Sequence, residues 1–474
     1  MKRFLDYGKI IVQHKNYKIY MLVGDCMKKC FKKNWWYSIV FIIVFIFLNY
    51  LGFNHNYGDP IANYGFAYAI SIGQIPYVDF NTISTPLYAF YTSLGLNIIN
   101  NYVVFLLEQT LLVTVTFYLL YQMFGKKSLV MLLVTVLFQY CNIIGTYNYM
   151  CFFIMILLLY LEKNYSNKDY LIGIILALGV LSKQTVGCFM LIPSIIFYHK
   201  DLKKLLRRFI GFLIPCSIFL IYLLCNGALY EFFNMCLFGL FDFAFNNGVG
   251  GGKINDFWLT ETLVCLIISI FVILKNKKVI SNYYLFWGIF FAIPLFDMTH
   301  FAMYFNCIAI MLLPYIKLND KAVTALTFAI SVPIAISCFY FWTTKDLVVT
   351  SKINNFGFNI HIKSSYINDN KYVEYINSFE KPIVIGYFAM KYDLISEREL
   401  SYFDVPMYGN FGYNGTQRMI DMIEDMHDQI FVVSIADYEQ NYEYSQFVKE
   451  MAGYVINNCE KIDEKYEFIV YYKK

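Results

Sequence analysis

"NWWYSIVFIIVFIFLNYLGFNHNYGDPIANYGFAYAISIGQIPYVDFNTISTPLY", residues 34–88, joins an apolar run to a loop that holds two aspartates, Asp59 and Asp79, and no lysine or arginine. The run from about 36 to 52 has the length and composition of a bilayer-crossing helix, since about 20 apolar residues span the hydrocarbon core. A basic leader precedes it and no small-residue cleavage site follows, so it reads as a retained span rather than a signal peptide. Similar runs recur as far as Trp342. The 474 residues are 58% hydrophobic, 20% aromatic and 15% charged, with a mean hydropathy of +0.49. A soluble protein carries about 25% charged residues. The expected fold class is therefore mainly α: a polytopic transmembrane helical module.

About eleven spans are expected: 36–52, 103–124, 128–143, 146–161, 170–182, 185–198, 209–226, 257–274, 283–296, 302–316 and 322–342. Short loops rich in lysine and arginine stay cytoplasmic. Of the 25 basic residues before position 345, 23 fall on one side of this arrangement. Lys183 and Lys253 fall on the other. The basic segment 1–34 is then cytoplasmic, and an odd number of spans puts the C-terminus outside. The loop of about 53–102 lacks basic residues because it lies on the outer face, where an amphipathic, aromatic-rich segment rests as interfacial helices. A second outer loop, 227–256, has the same character. Its "NNGVGGGK" stretch (246–253) is a flexible hinge for a lid.

The composition changes near Thr343. Residues 345–474 carry 13 basic and 20 acidic groups, so the preceding part has a net charge of +11 and the tail −7. Within the 344–474 region, "PIVIG" (382–386), "QIFVVS" (429–434) and the terminal "YEFIVYY" read as strands. "GTQRMIDMIEDMHD" (415–428) repeats its apolar residues with helical spacing. The tail is expected to be an extracytoplasmic α/β domain behind a membrane module of 35–343. The 12 cysteines are scattered, and Cys26 and Cys30 lack nearby partners for zinc. Neither a P-loop nor a basic-aromatic surface for nucleic acid is present. Nothing in the sequence calls for a cofactor, and a divalent metal has no support.

Ionisable groups at membrane depth are costly and mark function. Those on the expected outer half are Asp59 and Asp79 in the first loop, Lys183 in "LSKQTVG", and Asp297 and His300 in "DMTHF". Glu108 and Glu261 near span ends read as helix-packing residues. Each of the others also has a bland role. Asp59 before Pro60 suits the start of a helix, Asp79 suits a turn, and Lys183 suits snorkelling to headgroups.

"GDPIANYGFAYAISIGQIPYVDFNTISTPLYAF" resembles the first outer loop of the GT-C integral membrane glycosyltransferases, the group of protein O-mannosyltransferases and lipid A aminoarabinose transferases. The pattern there is an aspartate after span one, then "G…PY.D", then "P-L" opening a helix. It falls here on Asp59, on Gly73, Pro76, Tyr77 and Asp79, and on Pro86 and Leu87. "GIILALGVLSKQTVG" resembles the family's lysine-bearing segment, with Lys183 as the matching lysine, and "DMTHF" a later outer histidine. Many relatives carry an acidic residue directly after the first aspartate, where this chain has Pro60.

The resemblance implies a sugar donor on a polyprenyl phosphate, an extracytoplasmic acceptor and the bilayer as partners, with no nucleic acid. Asp59 would be the general base. Lys183 would meet the leaving phosphate, His300 and Asp297 would assist it, and Tyr77 and Asp79 would shape the substrate pocket. Attack by one base implies inversion at the anomeric carbon. A transporter or polymerase of lipid-linked sugars and a non-catalytic scaffold of surface-polysaccharide assembly are the alternatives.

Overall fold

In the apolar region the computed structural model describes residues 59–98, 102–137, 145–247, 255–293 and 295–319, with isolated positions from 321 to 329, and there the apolar runs fold into helices. In the tail it describes 370–386, 389–404, 411–439 and 446–474. The expected spans 36–52 and most of 322–342, and the 246–253 hinge beyond Asn247, lie outside these residues. In chain order the helices of the apolar region are α1 (Asp59–Ser71), α2 (Leu87–Leu96), α3 (Tyr102–Phe124), α4 (Leu129–Leu137), α5 (Tyr147–Asn164), α6 (Asp169–Ser182) and α7 (Gln184–Phe189). There follow α8 (Leu191–Tyr198), α9 (Leu202–Cys225), α10 (Leu229–Phe233), α11 (Gly239–Asn247), α12 (Asp256–Lys275), α13 (Ile280–Phe286) and α14 (Met298–Leu312). Among the described residues the protein is mainly helical, with one small sheet.

Among the described residues, four stretches are long and apolar enough to cross a membrane: Leu107–Thr135, Leu202–Cys225, Asp256–Lys275 and Met298–Tyr315. The first includes a 3₁₀ turn at Gly125–Ser128. The apolar side chains of α9 and α12 are largely exposed, with Ile218, Leu224, Ile267 and Phe271 all more than half accessible. Helices with such surfaces are at home in lipid. α5 is the opposite, with residues Met155 to Leu159 almost wholly enclosed apart from Leu157.

Two expected spans are interrupted. The 185–198 run divides into α7 and α8 at Met190, and the 283–296 run is α13 followed by a 3₁₀ turn, Trp287–Phe291. Within the expected first outer loop the chain forms the helices α1 and α2.

α5 and α6 run antiparallel and define two ends. At one, Glu162 and Asp169 meet Arg208 of α9. The Arg208 guanidinium pairs with Glu162 through Nη1 at 2.6 Å and Nη2 at 3.1 Å, and with Asp169 through Nε at 3.3 Å. Ser194 and Tyr284 complete the cluster by hydrogen bonds to Arg208 and Glu162. Lysines stitch the same end, with Lys127 donating to the Pro314 carbonyl, Lys163 to Met123 and Lys204 to Ser166. α6 and α9 touch backbone to backbone. A Cβ on Gly173 would lie 1.9 Å from the Arg208 carbonyl oxygen, and one on Gly211 would lie 2.1 Å from that of Tyr170. Only glycine fits such an approach.

The tail adds α15 (Asn370–Ile376), β1 (Ile383–Ile385), α16 (Met390–Ile395), α17 (Gly415–Asp425), β2 (Gln429–Ser434), α18 (Ile435–Glu439), α19 (Gln446–Asn458), β3 (Glu460–Lys465) and β4 (Phe468–Lys473). The strand order is β1-β2-β4-β3. β1 pairs parallel with β2, and β4 runs antiparallel between β2 and β3. Met419 and Ile423 of α17 and Val448, Met451 and Val455 of α19 pack against Phe431 and Val433 of β2. The α17 face and the strands at 383–385, 429–434 and 468–473 match the sequence expectation.

The tail is bound to the other end of the helices. Gln74 makes a double hydrogen bond to the Leu400 backbone, its Nε2 donating to the carbonyl and its Oε1 accepting from the N–H, both at 2.8 Å. Asn81 donates to the Tyr402 carbonyl, and the Tyr402 hydroxyl donates to the carbonyls of Tyr77 and Val78. Arg418 pairs with Glu231, while Asn234 and Asp242 accept the N–H groups of Tyr413 and Asn414. Burial, opposed by the Arg418 charge, pushes the Tyr402 hydroxyl up to about 12. It stays a neutral donor.

Candidate functional site

Lys183 interrupts α6 and α7. Its backbone is extended, at φ −149° and ψ 104°, and the chain folds back so tightly that a Cβ on Gly187 would lie 2.3 Å from the Val180 nitrogen. The lysine side chain is buried, and Nζ donates to Asn148 Oδ1 at 2.6 Å. Nζ also lies 5.7 Å from the Tyr147 ring centroid and 5.3 Å from that of Phe291, both in cation–π range. Lysine can only donate, so the contact fixes which end of the Asn148 amide is oxygen. The Asn148 Nδ2 group then points elsewhere. It is buried and has no acceptor among the described residues.

The next residue ties this break to both loop regions. Gln184 Nε2 donates to the carbonyls of Ile83, at 2.7 Å, and Cys236, at 3.2 Å, and Thr85 Oγ1 donates to the Val180 carbonyl. Tyr147 is the link to α1. It lines a cavity together with Asn63, Phe80, Thr82, Ser84, Thr85 and Tyr88. The cavity is the size of a single water. Asn63 stands one helical turn after Asp59, on the same face of α1. Asp59 is the first residue of α1, and its side chain is outside the described set.

The other expected site residues are placed as follows. Asp79 closes a turn: its Oδ2 accepts the Ile75 N–H at 2.6 Å, while its own N–H returns to the Ile75 carbonyl. Tyr77 is fully enclosed, with φ +71°, and its hydroxyl donates to the Ser84 carbonyl and accepts from the Cys236 thiol. Burial and then the neighbouring Cys236 push that hydroxyl well above its usual range. Tyr77 is thus a pillar between the two loop regions. Asp297 caps α14, with Oδ1 accepting the His300 N–H at 2.8 Å and Oδ2 lying 2.7 Å from His300 Nδ1. Asp297 is half-exposed and His300 mostly covered. Glu108 accepts the Gly95 N–H and so joins α3 to α2 as a packing residue.

The structure therefore gathers α1, the 75–86 loop, the start of α5 and Lys183 around Tyr147, and gives Asp297 and His300 to each other. Sequence reasoning passed over Asn148, Gln184, Thr85 and Tyr402, which carry no charge, and counted Arg208 only as a loop cation. Comparison with protein-family models, with curated proteins and with solved structures finds no match to this chain.

Proposed function

We propose that the protein is a membrane glycosyltransferase of the GT-C kind that moves a sugar from a polyprenyl phosphate to an extracytoplasmic acceptor. The observation that carries this reading is the buried pair of Lys183 and Asn148, an ammonium and an amide donor set beside the loop that follows Asp59. A leaving phosphate needs such donors.

In this reading the acceptor hydroxyl attacks the anomeric carbon and gives its proton to Asp59. The bond from that carbon to the phosphate oxygen breaks on the far face, with inversion, and Lys183 meets the departing lipid phosphate. The water-sized gap beside Tyr147 does not hold the sugar, which must occupy space outside it. His300, held by Asp297, orients the phosphate, and the Asp79 turn shapes the pocket rim.

The chain has about eleven spans, with residues 1–34 inside and 345–474 outside. Supporting this, the lysine-stitched loops share one end of α5 and α6, and the acidic tail binds the other. An epitope fused after Lys474 should be reached by antibody on sealed right-side-out vesicles; exposure only on inside-out vesicles would reverse the orientation. The activity is tested with purified protein and a panel of polyprenyl-phosphate hexoses and pentoses, with released polyprenyl phosphate measured by mass spectrometry. Transfer from a nucleotide sugar with no lipid present would refute the donor class.

A further inference from the structure

We propose that Asn148 is itself an anion-binding residue, its Nδ2 group donating to a phosphate oxygen beside the Lys183 ammonium. The inference rests on the glycosyltransferase reading for the identity of the ligand, and on geometry for the site. Asn148 is 1% exposed, its oxygen is committed to Lys183, and its amino group is a buried donor with no acceptor among the described residues. Leaving such a donor unmet is unfavourable. An anionic oxygen at this position accepts from Asn148 and lies next to a positive charge.

The test measures binding of polyprenyl monophosphate, and separately of inorganic phosphate, to full-length protein in nanodiscs. Asn148→Asp keeps the contact to Lys183 but replaces the donor with negative charge, and should weaken both ligands at least tenfold. Should it fail to fold, Asn148→Ala is read instead, with the same direction expected. Equal affinity in the folded variant overturns the role of Asn148. Wild-type protein that binds inorganic phosphate but not the lipid keeps the anion site and removes the lipid-donor reading. Wild-type protein that binds neither removes both.

A second observation stands apart from any activity. The segment 390–404 docks on α1: Met390 and Leu400 pack on Ala69 and Phe80, and Met390 sits against Gly65. Asp393 and Asp404 close this segment from inside, 5% and 2% exposed and hydrogen-bonded to each other. Asp404 also accepts from the Ser401 N–H and hydroxyl at 2.8 Å, and Asp393 pairs with Arg398. Two carboxyl groups bond to each other only through a shared proton. Arg398 of the same segment and Tyr68 of α1 face Asp393, and Glu397, Glu399 and Tyr64 surround Tyr68; burial holds the Tyr64 and Tyr68 hydroxyls above their usual range.

The geometry points to a proton-dependent latch: the proton shared by Asp393 and Asp404 locks the 390–404 segment onto α1, and its loss loosens the contact. Burial and then the Asp393 charge hold Asp404 well above the ordinary carboxylate range. Asp393 is raised by burial against the pull of Asp404 and Arg398. The docked state therefore holds more protons than the opened one. The latch is complete in acid and weakens as pH rises above the ordinary carboxylate range, by a factor of about ten per pH unit for one proton.

Hydrogen exchange of residues 59–71 and 390–404 in nanodiscs, from about pH 5.5 to 9 and corrected for intrinsic rates, reads this opening constant. Asp404→Asn donates to Asp393 at every pH and should abolish the slope. Glu397→Gln/Glu399→Gln should keep it. If Asp404→Asn does not fold, Asp393→Asn is used, which leaves only burial to raise Asp404 and should end the slope at a lower pH than in the wild type. A flat wild-type profile, or a folded Asn variant with the wild-type slope, overturns the latch.

Discussion

The two ends of α5 and α6 each bury a cation, in different company. Arg208 is gripped by Glu162 and Asp169, with Ser194 and Tyr284 filling the remaining positions. Lys183 is set against an amide oxygen and two aromatic faces. Arginine presents a planar fork that suits paired carboxylates, whereas lysine is a compact charge on a flexible stem. The surroundings diverge in the same way. Lysine-to-carbonyl bonds bind the Arg208 end together, while the neutral side chains Gln74, Asn81, Gln184 and Tyr402, joined on the tail by the Arg418–Glu231 pair and Asp242, fasten the Lys183 end to its loops and to the tail. Charge serves helix packing at the first end. At the second the polar framework is largely uncharged around a buried ammonium, which is what a site for an anionic ligand requires.

The sharpest test of this contrast is Asp59→Asn, which keeps shape but removes the proposed base. Turnover with a competent lipid donor should fall by about 10²–10⁴-fold while the donor still binds. Near-normal turnover in folded protein would pass the role to Asp79. At the other end Arg208→Met leaves buried Glu162 without its cation, while Asp169 keeps Lys204 and Arg207, and should cost about 3–5 kcal/mol in unfolding measurements, with activity per folded molecule preserved. A folded but inactive Arg208→Met protein would break the division between the ends.

Lys183→Met should weaken the lipid phosphate by about 1.5–3 kcal/mol, the worth of a charge-assisted hydrogen bond, read from donor titrations. Stability should change less than in Arg208→Met. The smallest effect concerns the tail: Gln74→Leu strands both Leu400 backbone groups, and exchange protection over 390–404 should fall by about 1–3 kcal/mol. An unchanged profile would mean that Gln74 does not hold the tail.

Much of the architecture was legible because its signals are local. The apolar runs, the Met419–Ile423 face of α17 and the strands at 383–385, 429–434 and 468–473 follow from periodicity and composition alone. The divisions at Met190 and Trp287 did not, since a run that is apolar throughout has no period to mark where a helix ends. Lys183 and Asp59 stood out as charges near apolar sequence. Asn148 and Gln184 did not, because a single neutral amide has no pattern, and their partners lie 35 to 101 residues away. The Gln74–Leu400 contact spans 326 residues, beyond the reach of any spacing argument. Arg208 was counted with its neighbours in a basic loop, although the helix begins before it, at Leu202.

Gly173 and Gly211 let α6 and α9 meet without side chains between them. α6 is also the rod that carries Lys183, about 15 Å further along at 1.5 Å per residue. The glycine contact is therefore a pivot with the lysine at the tip of its lever arm. A methyl group added at Gly173 would force the two axes apart and swing the ammonium away from Asn148, so a substitution remote from the site would register there as lost ligand affinity.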